Sequence, residues 1–184
     1  MTTGLLLIDI QNDYFPGGTF ELAHADKAGA CAQILLQEAR KRGFPVIHIQ
    51  HQSIQPNATF FLPGTPGADI HHCVCPKPGE VIVQKNLPNS FRGTNLQDLL
   101  TRQGVEHLII CGMMTHMCVD STVRAAFDLG YQCILAADAC ATRDLVWAGE
   151  TIPADQVQGS FLAALSAVFT EVSSTNDILE KVMI

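Results

Sequence analysis

Three side chains in this sequence could together make a nucleophilic centre, and they come from segments far apart in the chain: Asp9, Lys85 and Cys118. Cys118 lies in the stretch CGMMTHMCVDSTVRAAFDLG, residues 111 to 130, which also contains Cys111. Leu108, Ile109 and Ile110 bring the chain up an apolar strand, and Gly112 releases it. Beyond that point Val119, Val123, Ala126 and Phe127 share one helix face, while Asp120, Arg124 and Asp128 recur at four-residue steps on another. Thr115 is placed to cap the helix and Gly130 to end it. The helix is therefore predicted to start near His116, with Cys118 in its first turn and Cys111 inside the sheet. A first-turn cysteine sits beside unpaired backbone N–H groups at the positive end of the helix dipole. That position favours the thiolate and offers donors to an oxyanion. Cys111 gains nothing comparable.

Asp9 follows the apolar run Leu5 to Ile8, where packing gives a carboxylate no role, and Lys85 closes the run EVIVQK. In an open α/β sheet the ligand crevice lies outside the carboxyl ends of the strands, near the reversal of strand order. A thiol, a carboxylate able to take its proton and a fixed cation, all delivered to that edge, form a complete nucleophilic set.

The elements that must position them alternate. GLLLIDI, FPVIHIQ, EVIVQK, EHLIICG, YQCILAAD and a weaker AVFTEVSS read as strands buried on both faces. Helical patterns cover 26 to 42, 94 to 103, 116 to 129, 155 to 166 and 175 to 182. Such alternation calls for a three-layer, doubly wound α/β domain with a parallel sheet. With no linker or repeat visible, residues 1 to 184 are expected to form a single domain. The Pro-rich stretch from Ser53 to Gly79 reads as an irregular, functional excursion beside the strand ends. Within it His71, His72, Cys73 and Cys75 crowd together, but C-x-C without a second half is a weak metal signature.

The 184-residue chain is 47% apolar with a formal net charge of -7 and scattered cations, which speaks against nucleic acid and anionic membrane as partners. The first apolar run is too short for a signal peptide and no run approaches a membrane span, so the cytoplasm is the expected compartment. The seven cysteines are expected as free thiols there.

Four blocks in this order, LLLIDIQNDYF, VIVQKNLPNSFRGTNL, CGMMTHMCVDSTVRAAFDLGY and AADACAT, give the chain a resemblance to the isochorismatase-like cysteine hydrolases over essentially its whole length. The resemblance implies a six-stranded parallel sheet of order 3-2-1-4-5-6 and an Asp–Lys–Cys triad falling on Asp9, Lys85 and Cys118. It also implies a cis peptide at Met113–Met114, an oxyanion hole from the N–H groups of Met114 and Cys118, no cofactor, and a homo-oligomer, dimer or tetramer. Pocket candidates near the strand ends are Gln11, Tyr14, Phe15, His51, Phe60, Phe61, Asn89, Ser90 and Phe91. Trp147, on the connection RDLVWAGETIP, is either a loop anchor or a reach into a neighbouring subunit.

Metal-dependent nicotinamidases of the superfamily carry an Asp-x-His pair after the second strand; here Gln50 and Gln52 flank His51, and no metal is assigned. Isochorismatases proper lack the cysteine. The expected reaction is therefore cleavage of a C–N bond in a small amide, ureide, imide or lactam through a thioester. The alternatives are a metal-assisted nicotinamidase-type amidase, a small-ligand binder on the same scaffold, and a thiol-redox protein. The last would want a C-x-x-C pair or a flavin site, which Cys118 lacks.

Overall fold

The structure, a computed structural model, describes residues 2–182. Its elements in chain order are β1 (Thr2–Ile8), α1 (Ala25–Arg42), β2 (Val46–His51), β3 (Val81–Lys85), α2 (Leu96–Arg102), β4 (Val105–Met113), α3 (Asp120–Asp128) and β5 (Gln132–Ala141). There follow β6 (Leu145–Trp147), β7 (Glu150–Ile152), α4 (Ala154–Ser166), β8 (Glu171–Ser173) and α5 (Thr175–Val182). Six strands form one parallel sheet in the order β3-β2-β1-β4-β5-β8, so strand order reverses between β1 and β4.

Side-chain alternation explains why both faces need helices. Leu5 and Leu7 of β1, with Ile109 and Cys111 of β4, pack under α1 and α5. Leu6 and Ile8, with Leu108 and Ile110, pack against α2, α3 and α4. Charged residues on either face would have no water to meet, hence the near-continuous apolar runs. In α1, Ala28, Ala32, Leu35, Leu36 and Ala39 make the buried stripe, and Gly43 ends the helix at φ 68 while its N–H returns to Arg40 and Ala39.

Two features depart from the sequence reading. The last strand of the sheet is eighth in chain order, because residues 145 to 152, taken as a polar connection, pair as the antiparallel ribbon β6–β7. The weak run AVFTEVSS supplies only Glu171–Ser173 to the sheet, since the chain is still completing the end of α4 before it. Among the described residues no helix is long and apolar enough to cross a membrane.

At the opposite end of the sheet from the site, Glu80 joins three elements. Arg40 of α1 binds it bidentately at 2.7 and 2.8 Å, His48 of β2 lies 2.9 Å away, and the Lys77 N–H donates to it at 2.9 Å. Burial opposes the charge, but these bonds outweigh it and hold the carboxyl down at about 2. A depressed folded-state pKa stabilises above the unfolded value near 4.5, and that stability is lost as pH falls toward 2. Glu80→Gln is expected to lower the unfolding free energy at pH 7 by about 3 kcal/mol and to flatten its decline between about pH 4.5 and 2. Urea titrations across that range measure both.

Candidate active site

The three sequence-predicted groups arrive at one rim. β1 ends at Ile8, and Asp9 turns out of it at φ 50, a left-handed conformation that aspartate tolerates better than most residues. Its N–H donates to the Ile49 carbonyl at 3.1 Å, so the turn is tied to β2. β2 and β3 are in register at His51 and Lys85, which brings the Lys85 ammonium to 2.6 Å from Asp9 Oδ2 with both side chains 0% exposed. The same ammonium lies 3.1 Å from His51 Nδ1. Cys118 Sγ, an Asp9 carboxylate oxygen and a His51 ring nitrogen all fall within 4.8 Å of one another. Asp9 Oδ1 is buried and has no hydrogen-bond partner.

The electrostatics correct one expectation. Position alone favours a Cys118 thiolate, yet burial first, and then the Asp9 charge, push the thiol pKa well up, with Lys85 opposing them only in part. The resting group is a thiol. The reason is depth: Cys118 is 6% exposed, and desolvation outweighs the dipole of one helical turn. For Lys85, burial pulls the pKa down, but the charge of Asp9 and then of Cys118 overcomes it, so the ammonium is retained. Burial and then the Lys85 charge lower His51, which is neutral and accepts at Nδ1 from the ammonium.

The turn carrying Cys118 also differs from expectation. Residues Thr115–Val119 form a π-helical turn, and α3 begins only at Asp120. Thr115 caps nothing: its hydroxyl donates to the Ala141 carbonyl at 3.2 Å. His116 Nδ1 is 2.5 Å from the Thr142 hydroxyl. Both bonds fasten the turn to the end of β5, where side-chain partners on an adjacent strand win over local capping. The Met114 carbonyl accepts from Met117 and Val119, and the Met113–Met114 peptide is cis. Gly112 has φ 138, and a Cβ there would run into the Ile8 carbonyl, so only glycine lets β4 approach β1 at this level.

The pocket candidates separate. Phe61, fully buried at φ 53, stands 6.0 Å from the His51 ring and 4.5 Å from the Tyr14 ring, a wall of the site. Gln11 is beside the site but its carboxamide is occupied, giving to the His51 and Ala68 carbonyls at 2.9 and 2.7 Å and accepting from the His51 N–H at 2.7 Å. It clamps the backbone of His51 and Ala68. Phe15 turns away to stack on His71 at 3.5 Å, and Phe91 stacks on Tyr131 near the opposite end of β5. Trp147 projects from the ribbon, 78% exposed, and reaches no site residue within the chain. Ser90 is buried against Thr122 of α3. In the histidine–cysteine cluster, His71 Nδ1 meets Cys73 Sγ at 3.1 Å and Cys75 points outward. Asp13 was missed. Its carboxylate takes the Phe61 N–H at 2.6 Å and the Thr19 N–H at 3.2 Å, pinning the excursion over β1. The available signal was an acid two residues past the pocket candidate Gln11 and next to Tyr14.

A groove of about 540 Å³ opens alongside, bordered by Asn12, Phe15, Thr19, Leu62, Pro66 and His72, and none of Asp9, Lys85 or Cys118 lines it. Those three residues are buried instead, at 0%, 2% and 6% exposed.

The chain as a whole resembles a known group of proteins. Residues 3–177 match the model of the isochorismatase domain. YddQ of Bacillus subtilis, an isochorismatase family protein, is 46% identical over 98% of this chain and 100% of its own length. A streptothricin hydrolase from Streptomyces noursei is 39% identical over 82% of this chain, which spans 60% of that relative. The crystal structure of an isochorismatase hydrolase from Oleispira antarctica superposes with a TM-score of 0.93 at 45% identity, covering 97% of this chain and 96% of the other. On its sequence, its sheet order and the match along nearly its full length, the chain belongs to the isochorismatase-like family of hydrolases.

Proposed function

We propose that the protein hydrolyses a C–N bond of a small amide, ureide, imide or lactam through a thioester on Cys118. What supports this is a single pairing: the Asp9 carboxylate lies in the cluster with the Cys118 sulfur, its Oδ2 held by Lys85 and its Oδ1 buried without a donor. A buried carboxylate oxygen left without a partner is costly unless it has a proton to take. Asp9 would take the thiol proton as the sulfur attacks the carbonyl, so no resting thiolate is needed. The Met114 and Cys118 N–H groups would hold the oxyanion. Asp9 then gives that proton to the leaving nitrogen as the C–N bond breaks. A water next attacks the thioester with its proton passing to Asp9, the acid leaves, and the sulfur regains the proton. Lys85 holds Asp9 in position between steps through its bond to Oδ2.

Asp9, His51 and Cys118 also offer one oxygen, one nitrogen and one sulfur to a metal such as zinc, which favours a metal-assisted amidase as the second reading. The Lys85 ammonium opposes it, because it already donates to both Asp9 and His51 and would repel a divalent ion between them. Gln50 offers nothing further, its amide giving to the Ala68 carbonyl and accepting from Gln84. A panel of small amides, ureides and cyclic imides, scored by ammonia or acid release with and without a strong chelator, separates the two. Release indifferent to chelator is expected; release abolished by chelator and restored by zinc would establish the metal route instead.

A further inference from the structure

We infer that the Tyr14 hydroxyl selects the substrate, donating a hydrogen bond to a second carbonyl oxygen carried beside the scissile bond, as an imide or a ureide carries one. This inference rests on the hydrolytic function proposed above and names the substrate class within it.

Tyr14 is 2% exposed, and its ring is wedged among Phe61, Phe60 and Phe20 at centroid distances of 4.5, 5.9 and 6.3 Å. Its backbone is fixed at both ends, the N–H giving to Gln11 at 3.1 Å and the carbonyl accepting from Leu22 at 3.0 Å. The hydroxyl makes no hydrogen bond among the described residues, and its oxygen is not one of the fully buried unpartnered atoms, so it keeps a small opening to which a ligand oxygen can come.

Several polar groups of the site are already paired. Asp13 is filled by the Phe61 and Thr19 N–H groups, Gln11 by His51 and Ala68, and Lys85 by Asp9 and His51. That leaves Asp9 Oδ1 buried without a partner and the Tyr14 hydroxyl without a hydrogen bond among the described residues. One takes the proton of the nucleophile. The other is a donor: burial, and after it the charges of Cys118 and Asp9, hold the phenol pKa well above its ordinary value, so it stays protonated throughout turnover.

An imide places two carbonyls on one nitrogen, so that one can be attacked while the other accepts from a fixed donor. A simple lactam has only the first. A rigid aromatic stem with an unanswered hydroxyl discriminates against the analogue that lacks its acceptor, because that complex leaves the donor buried and unpaired.

Succinimide and 2-pyrrolidinone, five-membered rings that differ by one carbonyl, make the test. Their dissociation constants are measured by NMR titration on Cys118→Ala protein, with and without Tyr14→Phe. Succinimide is expected to bind at least about tenfold more tightly when Tyr14 is present, and the ratio to fall to within about twofold in Tyr14→Phe, with the melting temperature unchanged. A ratio near one in the presence of Tyr14, a ratio that survives Tyr14→Phe, failure of both rings to bind, or a marked loss of melting temperature would each overturn the assignment. The underlying chemistry is read separately: turnover that persists in Cys118→Ala would defeat the thioester route while leaving the binding ratio to report on the hydroxyl.

Discussion

Cys118→Ala is expected to cut turnover by about 10⁵-fold or more, because without the sulfur no acyl intermediate can form and the remaining groups have no shared nucleophile to serve. Cys111→Ala is expected to keep most of the activity. The two thiols lie on one continuous segment and both are buried, so the pair is a sharp control. Cys111 is 0% exposed in the middle of the sheet, packed in the layer beneath α1, and burial pushes its pKa well up. Its loss should register in stability, about 1 kcal/mol for a small cavity, and not in rate. Steady-state rates on a responsive substrate, together with mass spectrometry of acid-quenched enzyme, check this: an acyl adduct on the Cys118 peptide is expected in Cys111→Ala. Equal loss in both variants would contradict the assignment.

Asp9→Asn is expected to lower the rate by about 10²–10⁴-fold, the usual range for a general base. It should also destabilise the fold by about 3–5 kcal/mol, because the fully buried Lys85 ammonium loses its counter-charge. These two effects are separable. Asp9→Asn with Lys85→Met removes both charges, and such replacements are often neutral for stability. The double variant is expected to recover the melting temperature while remaining inactive. Should activity return with stability, the acid would be a structural partner of the lysine and the base would lie elsewhere.

The runs GLLLIDI and EHLIICG were legible as central strands because a strand buried on both faces tolerates almost nothing but apolar residues. The placement of Asp9 followed from that, since it is the first residue to break such a run, while Lys85 was placed as the residue that closes EVIVQK. The ribbon β6–β7 was not legible: its strands are three residues long, and Val146 and Trp147 are 71% and 78% exposed, so no burial pattern marks them. The role of Gln11 was equally hidden. Its carboxamide completes backbone hydrogen bonds of His51 and Ala68, partners 40 and 57 residues away that no local pattern connects to it. Thr115 looked like a helix cap because local chemistry permits that; the end of β5 offered a competing partner.

By itself the sequence determined the alternating architecture and singled out the sulfur, the acid and the cation that the fold brings together, because these depend on periodicity and on polar residues interrupting apolar runs. Only the tertiary structure decided the protonation state of that sulfur, the neutral form of His51 and the isolation of the Tyr14 hydroxyl. Each of those is set by how much water the completed fold excludes and by which distant groups remain unpaired, and neither is a property of any one segment.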